Sequence, residues 1–267
     1  MASVPAFQAA GLAKEFRASD GSVIRALDDV SFEAAESSIT CIVGPTGSGK
    51  STVLRILSGL EAPSSGSASV SGGPPAGIRA GIGYLTQRHT LFPWLRVEEN
   101  IGLPLEAQGA DAAARRREVE RIAGLLGIGD TLSRFPHELS GGMQQRAALG
   151  RLLATGTRYW LMDEPFSALD DRTTHQLQRL LVRLSGEHGI SVLFVTHSID
   201  EAVYLADRIV VLSAGPGRTA GIFDIDLERP RDRLAPAFGG WLEQVRRRIE
   251  SVIDEPEGAR QNERPRR

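Results

Sequence analysis

Apolar residues along this chain follow two spacings, one typical of buried strands and one typical of helices. Mostly apolar runs of strand length occupy Ile39–Val43, 159–162, 192–195 and 209–212. Between the second and third runs, apolar residues recur at helical spacing at Leu177, Leu180, Leu181 and Leu184. Strands that alternate with helices predict an α/β fold with a parallel sheet.

Other regions of the chain have their own patterns. Residues 23–43 hold short apolar segments separated by polar turns and predict β structure, and 67–71 predicts one further short strand. Residues 97–154 predict mainly helices. A last amphipathic helix is expected over 236–254, followed by a tail at 255–267 that is too polar to fold alone and is expected to be disordered.

The run Ile39–Val43 leads directly into a glycine-rich loop, and apolar residues at helical spacing predict a helix from Lys50 to Gly59. Strand, glycine loop and helix are the context of a P-loop, in which successive backbone N–H groups face phosphate oxygens. A flexible glycine turn is the plain alternative. The predicted nucleotide-binding residues are Gly44, Pro45, Thr46, Gly47, Ser48, Gly49, Lys50, Ser51 and Thr52.

Side chains of the loop and of a second strand complete the expected ATP and Mg²⁺ chemistry. Lys50 is expected to bridge the β- and γ-phosphates, and the Ser51 hydroxyl to bind Mg²⁺. Asp163 ends the run 159–162 and is expected to hold Mg²⁺, and Glu164 beside it is expected to polarise the attacking water. Two carboxylates that close a buried strand are costly unless a cation lies near them, which disfavours a merely solvated turn.

Composition narrows the class of protein. The formal net charge of −2 over 267 residues provides no basic field for nucleic acid. The single Cys41 lies in an apolar run and reads as a small core residue in a reducing compartment. No leader pattern or apolar run long enough to span a membrane is present in the sequence, so any membrane role is expected to be peripheral.

A second motif identifies the family that the chain resembles. The motif is Leu139-Ser140-Gly141-Gly142-Met143-Gln144. Together with the P-loop and the carboxylate pair, it resembles the nucleotide-binding subunit of an ATP-binding-cassette (ABC) transporter, over roughly 13–227. The resemblance implies a P-loop NTPase (RecA-like) fold with an N-terminal antiparallel β sub-domain and a helical sub-domain at about 95–154, all within 1–235. It also implies that Ser140, Gly141 and Gly142 contact the γ-phosphate held by the other subunit of a dimer.

Four further residues take roles only through this resemblance. Gln87 matches the loop that senses Mg²⁺ and the attacking water, and His197 matches the switch histidine that contacts the γ-phosphate. Asp170 matches a loop at the dimer interface and also reads as an N-cap. Phe16 falls where the family has an aromatic residue stacked on adenine, and a core Phe is the alternative.

Smaller features add detail to the resemblance. The sequence Ser198-Ile199-Asp200-Glu201 predicts a capping box, so a helix begins just after His197. Ser198 and Gly150 depart from the family's usual Asp and Ala, and neither change removes a catalytic atom.

Three stretches, at 91–95, 162–166 and 195–212, resemble the importer branch that serves nitrate, sulfonate, taurine and related small compounds. In the first stretch, Phe92, Pro93 and Trp94 would receive the coupling helix of a membrane permease, or else would plug the core of the helical region.

The resemblance implies an ATPase that drives uptake of a small solute at the cytoplasmic face of the inner membrane. Its expected partners are a second copy or a similar ATPase subunit, an integral membrane permease and, indirectly, an extracytoplasmic solute-binding protein. An exporter ATPase shares these motifs and remains an alternative. A DNA-repair or chromosomal ABC protein would need long coiled coils between the two motifs, and a P-loop kinase would have no use for residues 139–144.

Overall fold

The computed structural model describes residues 4–75, 81–87, 91–213 and 215–254, the side chain of the last residue excepted. The strands are β1 (Phe7–Arg17), β2 (Val23–Ala34), β3 (Ile39–Val43), β4 (Ser65–Val70), β5 (Ile82–Leu85), β6 (Tyr159–Asp163), β7 (Ser191–Val195), β8 (Arg208–Leu212) and β9 (Thr219–Asp224). The helices are α1 (Lys50–Leu57), α2 (Val97–Ala107), α3 (Ala112–Leu126), α4 (Gly141–Ala154), α5 (Asp171–His188), α6 (Ile199–Leu205) and α7 (Pro236–Asp254).

The main sheet has the order β5-β6-β7-β3-β8-β9. The first five strands are parallel, and β9 runs antiparallel to β8 at the edge. All residues of β3 and β7 are buried, which explains why their sequences are mostly apolar. The predicted α/β fold is therefore confirmed. The edge strand β9 was not predicted, because it is only partly buried and its sequence, Thr-Ala-Gly-Ile-Phe-Asp, lacks a continuous apolar run.

A second, antiparallel sheet has the order β2-β1-β4. The apolar pattern of the sequence predicted no strand over β1. Over β2 it predicted only short apolar segments separated by polar turns. Both errors have one physical cause, because the pairing of β1 with β2 has several register shifts. Gly11 and Asp29 have positive φ angles of 58° and 65° within these strands, and such irregular positions disrupt the period-two alternation that predicts a strand.

Helices α2, α3 and α4 pack on one another, and residues of all three belong to one hydrophobic cluster with Trp160 of β6. Helix α7 packs against α6, β8 and β9, with Phe238 and Val245 buried. Cys41 is buried in the same cluster, as expected. Within the described residues, no helix is both long and apolar enough to cross a membrane. The predicted tail at 255–267 lies outside the described residues.

Candidate nucleotide-binding and hydrolysis site

Four predicted parts of the site lie on loops that follow neighbouring parallel strands. The glycine loop follows β3, Gln87 follows β5, Glu164 follows β6 and His197 follows β7. These strands are adjacent in the sheet, so their carboxyl ends lie along one edge. In open α/β sheets that edge is where ligands bind.

The glycines of the P-loop have structural reasons for their identity. Gly47 and Gly49 have φ angles of 82° and 78°, a region that other residues rarely adopt. A Cβ atom on Gly49 would lie 2.3 Å from Leu27 Cδ2 and 2.9 Å from the Ala26 carbonyl oxygen, so β2 passes directly beneath the loop. Gly49 is also the N-cap of α1 and has no side chain to bond the helix amides. These amides are therefore available to an anion.

Lys50 lies inside the loop. Its Nζ donates to the carbonyl oxygens of Gly44 and Pro45, both at 2.9 Å. Burial lowers the pKa of Lys50, and the carboxylates of Glu164 and Asp163 oppose that shift. A buried ammonium group held by neutral carbonyl oxygens is suited to exchange them for phosphate oxygens.

The side chains next to the loop suit Mg²⁺. The Ser51 hydroxyl donates to Asp163 Oδ1 at 3.0 Å, so a hydroxyl and a carboxylate oxygen meet where the α1 N-terminus faces β6. Oxygen atoms of this kind are the ligands that Mg²⁺ prefers. Burial raises the pKa of Asp163, and the hydrogen bond from Ser51 opposes that shift. The residues present therefore fit the metal, with Ser51 and Asp163 as the candidate ligands and Gln87 nearby.

Glu164 is the point at which three loops meet. Its Oε2 lies 3.2 Å from His197 Nδ1 and accepts a hydrogen bond from Gln87 Nε2 at 3.3 Å. Its backbone has a φ of 44°, which is unfavourable for a residue with a side chain. The Glu164 N–H donates to the Val195 carbonyl oxygen at 3.0 Å, and the Ser167 hydroxyl donates to the Glu164 carbonyl oxygen, also at 3.0 Å. These bonds hold the carboxylate toward the site despite the strain.

The second motif lies at the start of α4. Ser140 is the N-cap, and its Oγ accepts a long hydrogen bond of 3.4 Å from the Met143 amide. A Cβ atom on Gly142 would lie 2.4 Å from Thr173 Cγ2, so Gly142 also lets α4 approach α5 closely. Ser140 and Gly141 are exposed. Among the described contacts, none joins Ser140 or Gly141 to the P-loop of the same chain.

Asp170 is the N-cap of α5, since its Oδ1 accepts a hydrogen bond from the Thr173 amide at 3.0 Å. This hydrogen bond lowers the pKa of Asp170. Phe16 is 36% exposed at the end of β1 and belongs to neither hydrophobic cluster. The Lys14 Nζ lies 4.9 Å from the centroid of its ring. Stacking of Phe16 on adenine stays a prediction, as does a role for Asp170 between subunits.

In the aromatic loop, Pro93 and Trp94 are exposed, whereas Phe92 is half-buried. Trp94 is 69% exposed, and its ring centroid lies 5.3 Å from that of Phe92. Asn100 of α2, which the sequence analysis missed, holds this loop. Its buried side chain accepts from the Phe92 amide at 2.8 Å and donates to the carbonyl oxygens of Phe92, Leu95 and Arg96 at 3.0–3.1 Å. The sequence feature that could have indicated this role is the amide side chain of Asn100 between Val97 and Ile101, which are both buried.

The segment with Gly217, under the P-loop, was also not predicted from the sequence. The segment before β9 passes under the P-loop, where the Gly217 N–H donates to the Ala26 carbonyl oxygen at 3.0 Å and the Gly217 carbonyl oxygen accepts from the Asp28 amide at 2.8 Å. A Cβ atom on Gly217 would lie only 2.1 Å from the Ser48 carbonyl oxygen. The floor of the P-loop thus includes a residue distant in sequence, which no local motif reveals.

We expect Gly217→Ala to weaken ATP binding. The added methyl group would press on the Ser48 peptide, which no side-chain rotation can relieve, and would displace the amides that face the phosphates. Strain of about 1–3 kcal/mol corresponds to roughly 5- to 150-fold weaker binding. Titration with an ATP analogue measures the effect. Gly124→Ala is the matched control, because a Cβ atom there meets nothing within 4 Å. Equal affinities of Gly217→Ala and the unmodified chain would contradict this account of the floor.

Comparisons with known proteins agree with the geometry. A family model described as ABC transporter matches residues 27–167. The aliphatic sulfonates import ATP-binding protein SsuB 1 of Xanthomonas axonopodis pv. citri is 45% identical over 210 residues, which cover 78% of this chain and 83% of the relative. An uncharacterised ABC transporter ATP-binding protein of Methanocaldococcus jannaschii is 41% identical over 226 residues, which cover 85% of each chain.

Among solved structures, the dimeric post-hydrolysis state of the ATP-binding cassette MJ0796, bound to ADP and Pi, matches with a TM-score of 0.73 at 28% identity. That match covers 83% of this chain and 100% of the other. Sequence, fold and site lead to the same assignment, and this chain belongs to the ABC transporter family.

Proposed function

We propose that this chain hydrolyses ATP as a subunit of an importer and thereby powers uptake of a small solute through a separate membrane permease. The observation that carries the proposal is the meeting of Lys50, Asp163, Glu164 and His197 at one edge of the sheet. This set combines a phosphate-binding cation, a metal ligand, a proton acceptor and a histidine that contacts it.

Each side chain has a part in hydrolysis. The P-loop amides and Lys50 bind the phosphates and balance their charge. Mg²⁺ held by Ser51 and Asp163 would neutralise further negative charge on the phosphate oxygens. Glu164 accepts a proton from the water that attacks the γ-phosphate, and Gln87 and His197 orient this carboxylate from two sides.

In our proposal, a second subunit completes the ATP site. Ser140 and Gly141 are exposed at the N-terminus of a 14-residue helix, where amides and the helix dipole favour an anion. We therefore propose that these residues and Gly142 contact the γ-phosphate bound by a second copy or a similar subunit. Two ATP molecules would then lie between two subunits, and closing and reopening of this dimer would move the permease. Asp170 would lie across the same interface.

The exposed aromatic loop is our candidate for the permease contact. Trp94 and Phe92 form an apolar surface that Asn100 fixes from below, and the loop follows the Gln87 segment in sequence. A rigid aromatic surface suits a docking site for a helix. Residues 88–90, between the two, lie outside the described residues.

We expect Trp94→Ala to uncouple hydrolysis from transport. In a reconstituted complex, removal of this exposed ring would lower solute uptake by about 10-fold or more, equivalent to loss of roughly 1.4–2 kcal/mol at the interface. ATP hydrolysis by the isolated subunit would stay unchanged. Leu234→Ala is the matched control, because Leu234 is an even more exposed apolar residue far along the chain. Normal uptake by the Trp94→Ala complex would argue against this loop as the permease contact.

The solute class is the finest part of the proposal. A sulfonate or another small anion is favoured by the likeness to a relative named for aliphatic sulfonates import. We place the subunit at the cytoplasmic face of the inner membrane, with an extracytoplasmic solute-binding protein as an indirect partner. Purification of the chain with its native permease, followed by ATPase assays with sulfonates, taurine and nitrate, tests this. Stimulation by a solute added with its binding protein supports import, and a permease without such a protein would refute it.

A further inference from the structure

The loop that carries His197 is held by buried polar side chains. The Thr196 hydroxyl accepts a hydrogen bond from the Ser198 amide at 3.0 Å and donates to Glu201 Oε2 at 2.5 Å. Thr196 is buried, and its own amide donates to the Ile42 carbonyl oxygen of β3 at 3.2 Å. The Ser198 hydroxyl caps α6 by accepting from the Glu201 amide at 3.3 Å. The bonds to Thr196 therefore fix the backbone on both sides of His197.

This arrangement corrects the expected capping box. In a capping box the Glu201 carboxylate would accept from the Ser198 amide, but here the Thr196 hydroxyl takes that bond. Glu201 is thereby free to accept from Thr196 and from Gln178 of α5, whose Nε2 donates to Glu201 Oε1 at 3.1 Å. Burial raises the pKa of Glu201, and these two hydrogen bonds oppose that shift.

The orientation of the Gln178 amide is itself fixed. Gln178 is buried, and its Oε1 accepts a hydrogen bond of 2.5 Å from Arg233 Nη2. Arg233 is held in turn by Asp200, with Nε and Oδ1 at 2.8 Å, and its guanidinium lies 3.7 Å from the centroid of the Tyr204 ring. An exchange of the amide oxygen and nitrogen would place an N–H donor against this cation. Only one pattern of donors and acceptors therefore satisfies the whole set.

We propose that Glu201, oriented by Gln178 and Arg233, is a positioning residue for hydrolysis, because it holds the Thr196 turn that presents His197 to Glu164. The proposal rests on the role of His197 in the proposed function. Glu201 acts on the loop through two connected hydrogen bonds, from Thr196 to Glu201 and from the Ser198 amide to Thr196. Partners that orient a functional residue in this way commonly contribute a factor of 10 or more to activity.

The network predicts an unusual effect of a conservative substitution. In Glu201→Gln, the side chain keeps its size but gains an NH₂ group. One of its two partners, the Thr196 hydroxyl or the Gln178 amide, then meets a donor instead of an acceptor, and Arg233 prevents Gln178 from turning. We expect kcat to fall about 10-fold, with the KM for ATP within about twofold of that of the unmodified chain.

A paired exchange distinguishes this network from a general loss of packing. With Glu201→Gln and Gln178→Glu together, the new glutamine accepts from Thr196 and donates to the new glutamate, which pairs with Arg233. Every bond then has a donor and an acceptor again, so kcat is expected to return to within about threefold of its original value. Glu187→Gln, the same change at an exposed position on α5, is the control and is expected to have no effect.

A double-variant cycle with His197→Ala tests whether Glu201 acts through the histidine. We expect Glu201→Gln to lower kcat in the unmodified chain but to add no further loss once His197 is removed. Thr196→Val, which removes the linking hydroxyl, repeats the test independently of Glu201, and thermal unfolding and ADP binding report on folding. Independent, multiplicative losses from Glu201→Gln and His197→Ala would overturn the proposal.

Failure of the positioning role of Glu201 can be distinguished from failure of the proposed role of His197 in hydrolysis. If His197→Ala lowers kcat but neither Glu201→Gln nor Thr196→Val does, the positioning role is wrong and the proposed function stands. If His197→Ala itself leaves kcat unchanged, the role of His197 in hydrolysis fails, and the positioning role fails with it. A paired exchange that restores thermal stability without restoring kcat would also overturn the positioning role.

Discussion

Replacement of Glu164 by Gln is expected to lower kcat for ATP hydrolysis by roughly 10²–10⁴-fold while leaving ATP affinity within about twofold. Gln keeps the size of the side chain and still offers an oxygen to Gln87 Nε2 and to His197 Nδ1, the two groups that contact the Glu164 carboxylate. It has no carboxylate to accept a proton from water. The substitution therefore separates proton transfer from the placement of the side chain.

The measurement is steady-state phosphate release together with titration of an ATP analogue. Glu120→Gln is the matched control, since it makes the same chemical change on the exposed face of α3, where Glu120 pairs with Arg116. Hydrolysis by Glu164→Gln at the original rate would remove this residue from catalysis. A parallel loss of nucleotide affinity and of thermal stability would instead assign it a structural role at its strained backbone position.

Local sequence patterns were sufficient for the parts of the site that are contiguous in the chain. The run Ile39–Val43 and the glycines after it were placed correctly because a fully buried parallel strand has a mostly apolar sequence and the loop needs positive φ angles. The N-cap predicted at Asp170 acts over three residues, so it too is visible locally. Patterns with a range of one helical turn can be read directly from the sequence.

Features that join distant parts of the chain could not be predicted in this way. Gly217 lies under Ser48 although 169 residues separate them, and neither residue's neighbours indicate the contact. The strand β1 was missed because its pairing with β2 is interrupted. Hydrogen bonds connect Arg233 through Gln178 to Glu201, and these residues lie in three separate segments of the chain. Each of them, taken alone, has the sequence context of an ordinary polar side chain. Tertiary packing, not local preference, determines these contacts.

Backbone hydrogen bonds also connect Glu164 to the loop that carries His197. Glu164 is bonded by its amide to the last residue of β7, Val195, and Thr196 immediately follows. The Thr196 amide donates a hydrogen bond to the carbonyl oxygen of Ile42. Ile42 lies in β3, two residues before Gly44, the first residue of the P-loop. Thus the phosphate loop, the carboxylate and the histidine loop are joined by backbone hydrogen bonds at one sheet edge. Because Glu164 follows β6 and His197 follows β7, a shift of one of these two strand ends against the other would change the separation of Glu164 and His197.

Lys50→Ala is expected to weaken ATP binding by roughly 10- to 150-fold and to reduce hydrolysis at least as much. The Lys50 ammonium is buried in the loop, and with ATP bound it would exchange the carbonyl oxygens of Gly44 and Pro45 for phosphate oxygens. Loss of a charged hydrogen bond of this kind costs about 1.5–3 kcal/mol, which gives the expected range. Hydrolysis suffers further because charge on the γ-phosphate is no longer balanced in the transition state.

Lys50→Arg tests whether shape matters as well as charge. The guanidinium group keeps the positive charge but is planar and wider than an ammonium group, and the loop carbonyls around Lys50 Nζ leave it only a narrow, largely buried position. We therefore expect Lys50→Arg to restore little of the affinity that Lys50→Ala loses. Calorimetric titration with ATP provides the affinities, and Arg116→Ala, which removes an exposed cation, is the control for charge alone. Unchanged ATP affinity in Lys50→Ala would show that the loop amides bind the phosphates without this cation, and the charge-balancing role of Lys50 would have to be abandoned.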